Sequence, residues 1–183
     1  MLGYVSAPNR GDGDRLLARV AQRLTVKGIA LGGVVQVNTE TDPDRPCQMD
    51  LRILGDGRVF RISQSLGRHA SGCRLDASGL EEAVGRVAAA LLAAPPQLLI
   101  LNKFGKQEAE GRGFRPVIGQ AFALGVPVLT SVSGINRASF DLFAEGVANP
   151  LATDEEAVVA WCLAQAGVHS RTKVCGSGQI VRG

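Results

Sequence analysis

The chain has 183 residues, 45% of them apolar and only 4% aromatic, and a formal charge of +3. That length suits one domain with a substantial core. The small, dispersed positive charge leaves no basic stripe for nucleic acid, and no apolar run approaches the roughly 20 residues of a membrane span.

The N-terminus lacks the basic start and long apolar stretch of a signal peptide, so the expected location is the cytoplasm. Cys47, Cys73, Cys162 and Cys175 are far apart and read as thiols in a reducing compartment. With only His69 and His169 to help them, no metal site is expected. Arg74 beside Cys73 could lower that thiol's pKa, but adjacency in sequence does not decide contact.

In chain order, Met1 to Val5 is a short apolar segment that suits a first strand, followed by the loop Ser6 to Gly13. From Asp14 onward, Leu16, Leu17, Val20, Ala21 and Leu24 recur at spacings of three and four, which predicts a helix stopping at Gly28. Asp12 and Asp14 suit the positive end of that helix. A second strand is expected from Ile29 to Val37, with Gly32-Gly33 allowing close backbone approach or a bulge. Around Asp56-Gly57 the pattern changes to period two. Residues 49–63 therefore read as an antiparallel ribbon rather than as part of the parallel sheet.

Residues 64–76 (QSLGRHASGCRLD) show no periodicity and form a loop rich in donors: Arg68, His69, Ser71 and Arg74. Ser78 with Glu81 reads as a capping box opening a helix that ends at Pro95-Pro96. Gln97 to Leu101 signals a buried strand, and the polar stretch from Asn102 to Gly113 reads as the loop after it. A helix to Gly125, a strand from Val126 to Val132, a helix from Asn136 to Ala144 and a short strand near Val147 follow. Thr153 with Glu156 forms a second capping box, for a helix through Trp161 to Ala166. Alternating strands and helices imply a mainly parallel sheet with right-handed crossovers. Residues 1–168 read as a single domain and residues 169–183 as a flexible tail.

Ligands bind beyond the carboxyl ends of the strands in such sheets. Three polar loops fall there: Ser6 to Gly13, Asn102 to Gly113 and Ser131 to Arg137. A working phosphate loop needs G-x-x-x-x-G-K-[ST], with Lys to neutralise phosphate and a hydroxyl for magnesium. The stretch SAPNRGDGDR keeps Gly11 but has Ser6 for the first glycine, Asp12 for Lys and Gly13 for the hydroxyl residue. Exchanging an ammonium for a carboxylate reverses an interaction of roughly 4 kcal/mol at about 4 Å and an effective dielectric of 20. An anion could still meet backbone amides near Gly11 and Gly13, helped by Arg10. A plain helix cap and a cation site at Asp12 and Asp14 are the other readings.

The second loop, NKFGKQEAEGRGF, combines Lys103, Lys106, Arg112 and Arg115 with Glu108, Glu110 and three glycines directly after a buried strand. It reads either as an anion or nucleotide contact loop or as a solvated loop with internal ion pairs. A triphosphatase would place a magnesium-linked Asp at the end of this strand, where this chain has Asn102 and Lys103. The third loop offers Thr130, Ser131, Ser133, Asn136 and Arg137, all able to bond an oxyanion, although Ser133 or Asn136 could equally cap a helix.

NKFGKQEAEGRGF, SQSLGRHASGCRLD and the run VPVLTSVSGINRASF together resemble the bacterial domain-of-unknown-function family 2478, over roughly residues 1–168. That family is distantly similar to small P-loop nucleoside triphosphatases carrying D-E-[IV]-G-K-x-E after the Walker B strand. Gly105, Lys106 and Glu108 keep the corresponding types, whereas Asn102 and Lys103 replace the acidic pair. The resemblance implies a P-loop-like three-layer α/β domain with an inserted β-hairpin. It also implies a role in molybdenum or tungsten handling, since family members are often encoded beside molybdate-uptake genes.

The leading expectation is an accessory protein binding a nucleotide or an oxyanion such as molybdate or tungstate. Its ligand contacts would be Ser6, Asn9, Arg10, Gly11, Gly13, Lys103, Lys106, Arg112, Ser131, Ser133 and Arg137. The alternative enzyme is a divergent magnesium-dependent nucleoside triphosphatase or phosphotransferase, with Lys106, Glu108 and Glu110 as catalytic candidates. A third reading is a regulatory module that binds a protein partner or a second copy of itself. A small anionic partner is expected, and neither nucleic acid nor membrane.

Overall fold

Leu98, Leu99, Ile100 and Leu101 are buried on both sides of one strand, and the molecule is layered about them. Leu98 and Ile100 face a cluster with Leu17, Val20, Leu24, Val158 and Cys162. Leu99 and Leu101 face a second cluster with Val87, Leu91, Val117, Ile118 and Phe140. Burial on both faces is why this strand is a continuous apolar run.

The computed structural model describes residues 1–9, 11–39, 48–64 and 75–172, with side chains through Gly167. Its strands are β1 (Leu2–Val5), β2 (Leu31–Thr39), β3 (Gln48–Ile53), β4 (Val59–Arg61), β5 (Leu98–Phe104), β6 (Val128–Val132) and β7 (Ala148–Leu151). Its helices are α1 (Asp12–Val26), α2 (Ala77–Ala93), α3 (Lys106–Ala109), α4 (Arg115–Ala123), α5 (Arg137–Ala144) and α6 (Glu155–Thr172). The sheet order is β4-β3-β2-β5-β6-β1-β7. The five strands from β2 to β7 in that order are parallel. Helices α1 and α6 supply one apolar cluster, and α2, α4 and α5 the other. The fold is therefore an α/β, P-loop-like three-layer domain with a mainly parallel sheet and an inserted β-hairpin.

Several local expectations are corrected. The antiparallel ribbon is present as expected, and it is joined to the sheet, because β3 pairs antiparallel with β2 from Val34↔Ile53 to Thr39↔Gln48. An unpaired β2 edge would leave backbone groups without partners, and the ribbon supplies them. Asp76, not Ser78, caps α2, its Oδ1 accepting from the Ser78 amide at 3.0 Å. Asp154 rather than Thr153 serves α6, accepting from the Ala157 amide at 2.9 Å. In both cases a carboxylate lies close to the competing hydroxyl, and the positive helix end favours the anion. Helix α6 continues past Ala166 to Thr172.

The last correction shapes the site. Asn102 and Lys103 belong to β5, which runs on to Phe104. Strand β2 pairs with β5 only from Leu31 to Gly33. Gly33 has φ 95°, and a Cβ there would lie 2.0 Å from the Ile100 carbonyl oxygen. Beyond it the two strands part, and the Gln36 amide donates to the Asn102 side chain at 2.9 Å. The register of β5 against β6 also shifts between Leu101 and Phe104. Such a bulge re-aims side chains, here at Asn102 and Lys103.

Candidate functional site

The carboxyl ends of β1, β5 and β6 surround an open cavity of about 590 Å³. All three polar loops contribute. Asn9, Gly11 and Gly13 come from the first, Lys103, Gly105 and Lys106 from the second, and Ser131, Ser133 and Asn136 from the third. The crevice exists because β1 lies between β6 and β7, so the chain leaves β1 for the far strand β2 and returns by the other face.

At the floor, Asp14 is only 8% exposed, and its Oδ1 accepts from Asn102 Nδ2 at 2.8 Å. The same Nδ2 donates to Gln36 Oε1 at 3.2 Å, while Ser131 Oγ donates to the Asn102 carbonyl at 2.7 Å. Asn102 is therefore bonded to α1, β2 and β6 at once. Its amide joins elements where a ladder carbonyl no longer reaches. Lys103 Nζ donates to Gln36 Oε1 at 3.3 Å and has no carboxylate within ion-pair distance among the described residues. Lys106 lies at the rim, its Nζ 3.8 Å from Glu110 Oε1 and its side chain 80% exposed.

The position of the phosphate-loop lysine is used locally. Asp12 accepts from Asn9 Nδ2 at 2.9 Å and pairs with Arg15 at 2.5 Å. Those two contacts, the Asn9 amide first, hold its carboxyl below the ordinary range. Gly13 packs against β6, where an added Cβ would meet the Ser131 Cβ at 3.0 Å. The amides of Gly13 and Asp14, in the first turn of α1, have no acceptor among the described residues.

Other predicted residues lie elsewhere. Ser6 is exposed outside the cavity lining, and Arg10 falls outside the described residues. Arg112 turns to Gln107 Oε1 at 3.0 Å and to Glu110. Arg137 stands over the Tyr4 ring at 4.8 Å and binds Asp141 at 2.8 Å. Glu108 is buried, its two oxygens accepting from the amides of Gly105 at 2.9 Å and Phe114 at 3.0 Å. Glu110 is engaged by Lys106 and Arg112 and does not line the cavity. The donor-rich stretch with Arg68, His69, Ser71, Cys73 and Arg74 also lies outside the described residues, as do Cys47 and Cys175.

Gln36, Asn38 and Met49 line the cavity without having been singled out from sequence, and Asp14 was singled out only as a helix-start acid and a cation-site candidate. Asp14 had a legible signal, since it precedes Leu17, Ala21 and Leu24 on the buried stripe of α1. Gln36 and Asn38 likewise continue the face of buried Val34 by period two.

A sequence profile of one protein family spans residues 2–161, which include the whole cavity lining. The chain belongs to the family described as protein of unknown function (DUF2478). A relative, the molybdenum import ATP-binding protein ModC 2 of Bradyrhizobium diazoefficiens, is 39% identical over 150 residues. That match covers 82% of this chain, which spans only 17% of the relative's length. No solved structure matches the chain. Among the described residues no helix is long and apolar enough to cross a membrane, and no cluster of three or more His, Cys, Asp or Glu could hold a metal ion.

Proposed function

We propose that this family member is a cytoplasmic accessory protein that binds a small anion, a nucleotide or a tetrahedral oxyanion, in the cavity at the ends of β1, β5 and β6. The observation that carries the reading is the meeting of Lys103 and Lys106 with the Ser133 hydroxyl and the first-turn amides of α1 in one cavity. Ammonium groups, hydroxyls and helix-start amides are all donors, and together they favour a ligand of opposite charge. The cavity volume of about 590 Å³ is in the range of small-molecule sites.

Binding is favoured over ordinary hydrolysis. A P-loop triphosphatase neutralises phosphate with the Walker lysine and holds magnesium with a Walker B carboxylate. Here the first position carries Asp12, locked to Asn9 and Arg15, and the second carries Asn102, locked to Asp14 and Gln36. Glu108, the residue best placed in sequence to orient a water, has both oxygens occupied by backbone amides. A link to molybdenum or tungsten handling rests on the similarity to a stretch of an import protein. We read residues 1–168 as the binding domain, and a homodimer or a larger import assembly as its setting.

A thermal-shift screen against ATP, GTP, molybdate, tungstate, phosphate and sulfate, with and without magnesium, tests the proposal. Ligand at 100 times its dissociation constant stabilises the native state by about 2.7 kcal/mol. At least one of these anions is expected to raise the melting temperature, with the shift lost in Lys103→Ala. Silence of all six at millimolar concentration would contradict the reading.

A further inference from the structure

An anion site built only to attract charge has no use for a buried carboxylate, yet Asp14 lines this cavity. Its Oδ1 is engaged by Asn102, and its Oδ2 has no partner among the described residues. Among the described residues, the charged groups about it are Asp12 and Arg15 from α1, Lys103 from β5 and Lys106 from α3, and β2 contributes the amides Gln36 and Asn38. Arg15 is committed to Asp12, and Lys103 reaches Gln36 instead of Asp14. Asp14 therefore presents an acceptor to the ligand.

We infer that Asp14 selects, among tetrahedral anions, those that bring a proton or another hydrogen-bond donor. This rests on the anion-binding reading above and deepens it. An ionised carboxylate accepts hydrogen bonds only, so an anion without a proton meets it with repulsion and nothing to donate. Inorganic phosphate keeps a proton throughout the neutral range, and a phosphate monoester keeps one up to its second pKa of about 6. Sulfate and molybdate carry none at neutral pH. The Asp14 oxygen thus favours a phosphate-bearing ligand, and Lys103, Lys106 and Ser133 bind its remaining oxygens.

Isothermal titration of the full chain in EDTA, with inorganic phosphate, AMP, sulfate and molybdate, reads this out. At pH 6 the wild type is expected to bind phosphate or AMP at least tenfold more tightly than sulfate or molybdate. For AMP that preference should be lost by pH 8.5, where the monoester has given up its last proton, whereas inorganic phosphate keeps one and should keep its preference. Asp14→Asn keeps an oxygen for Asn102 Nδ2 and turns the other group into a donor. It should gain at least tenfold in sulfate affinity and flatten the pH dependence for AMP. The wild-type pH profile stands without the variant, should Asp14→Asn fail to fold. Equal affinity for phosphate and sulfate in the wild type, an unchanged ratio in Asp14→Asn, or binding that needs magnesium would each overturn the inference while leaving anion binding intact. Failure of all four anions to bind the wild type would sink the inference, and with the thermal-shift screen silent as well it would sink both.

Discussion

Asn102 Nδ2 donates to Asp14 Oδ1 at 2.8 Å, tying the end of β5 to the first turn of α1 across 88 positions of chain. In a working triphosphatase the corresponding strand ends in a metal-binding carboxylate. Here the neutral amide donates to a carboxylate on the helix, so the two positions are complementary only because one of them is not acidic. The contact also explains how the cavity stays open. Asn102 closes the gap left where β2 departs from β5 and holds Gln36 beneath Lys103.

Asn102→Asp is accordingly expected to destabilise the protein, although it restores a Walker-type residue. It removes the donor and sets two carboxylates together in a buried place, an interaction of up to roughly 4 kcal/mol at an effective dielectric of 20. Urea unfolding at pH 7 should show a loss of about 2–4 kcal/mol. A variant as stable as the wild type would mean that Asp14 and Asn102 do not meet as described.

Glu108→Gln tests whether that residue holds the loop or acts on a ligand. Its carboxylate satisfies the Gly105 and Phe114 amides, and a glutamine offers one oxygen for the two. Leaving a buried amide unpaired costs about 1–3 kcal/mol. At about 2–4 °C per kcal/mol for a chain of this size, the melting temperature should fall by several degrees. Unchanged melting would argue against the staple.

Burial pushes the Cys162 thiol up to about 12 from its ordinary value of 9.0. The folded state thus keeps a proton that the unfolded chain gives up, and stability should fall as pH rises above about 9. The slope from this group approaches roughly 1.4 kcal/mol per pH unit between the two values. Native protein at pH 8 should also resist alkylation at Cys162 and react there after unfolding. Rapid native alkylation, mapped by peptide mass spectrometry, would contradict the burial.

Gly33 and Gly28 separate two reasons for glycine. Both have positive φ, at 95° and 75°, but a Cβ at Gly28 meets nothing within 4 Å. Gly28→Ala should cost only the backbone term, about 1–2 kcal/mol. Gly33→Ala must also displace the Ile100 carbonyl, and is expected to cost more than about 3 kcal/mol or prevent folding. Equal effects, measured by chemical denaturation, would remove the close approach of β2 to β5.

Much of this architecture was legible in the residues. The apolar run Leu98–Leu101, the α1 stripe and the Asp56-Gly57 hairpin each carry a local period that survives in the fold. The three loops could be placed at strand ends for the same reason. What escaped depends on contacts between distant segments. Asn102 and Lys103 look like a loop because they are polar, yet pairing of Phe104 with Val132 keeps the strand going past them. Ser78 and Thr153 satisfied a capping pattern, but an adjacent carboxylate made the bonds. Arg112 and Arg137 have the right chemistry for an anion and Glu108 for a catalytic carboxylate, and nothing local tells that they turn to Gln107, Asp141 and the Phe114 amide. Conversely, period two along β2 puts Gln36 on the face of Val34, but only the fold brings it to Asn102 and Lys103.

The central claim is that the cavity holding Lys103 binds a small anion, and titration calorimetry on three proteins tests it most directly. The wild type, Lys103→Ala and Arg137→Ala would be titrated with the anion giving the largest thermal shift, at low salt to limit screening. Loss of a charge-assisted hydrogen bond of about 1.5–3 kcal/mol predicts a 10- to 100-fold weaker complex for Lys103→Ala, and an unchanged one for Arg137→Ala, which lies outside the cavity. Wild-type affinity in Lys103→Ala, or a loss that follows Arg137 instead, would contradict it.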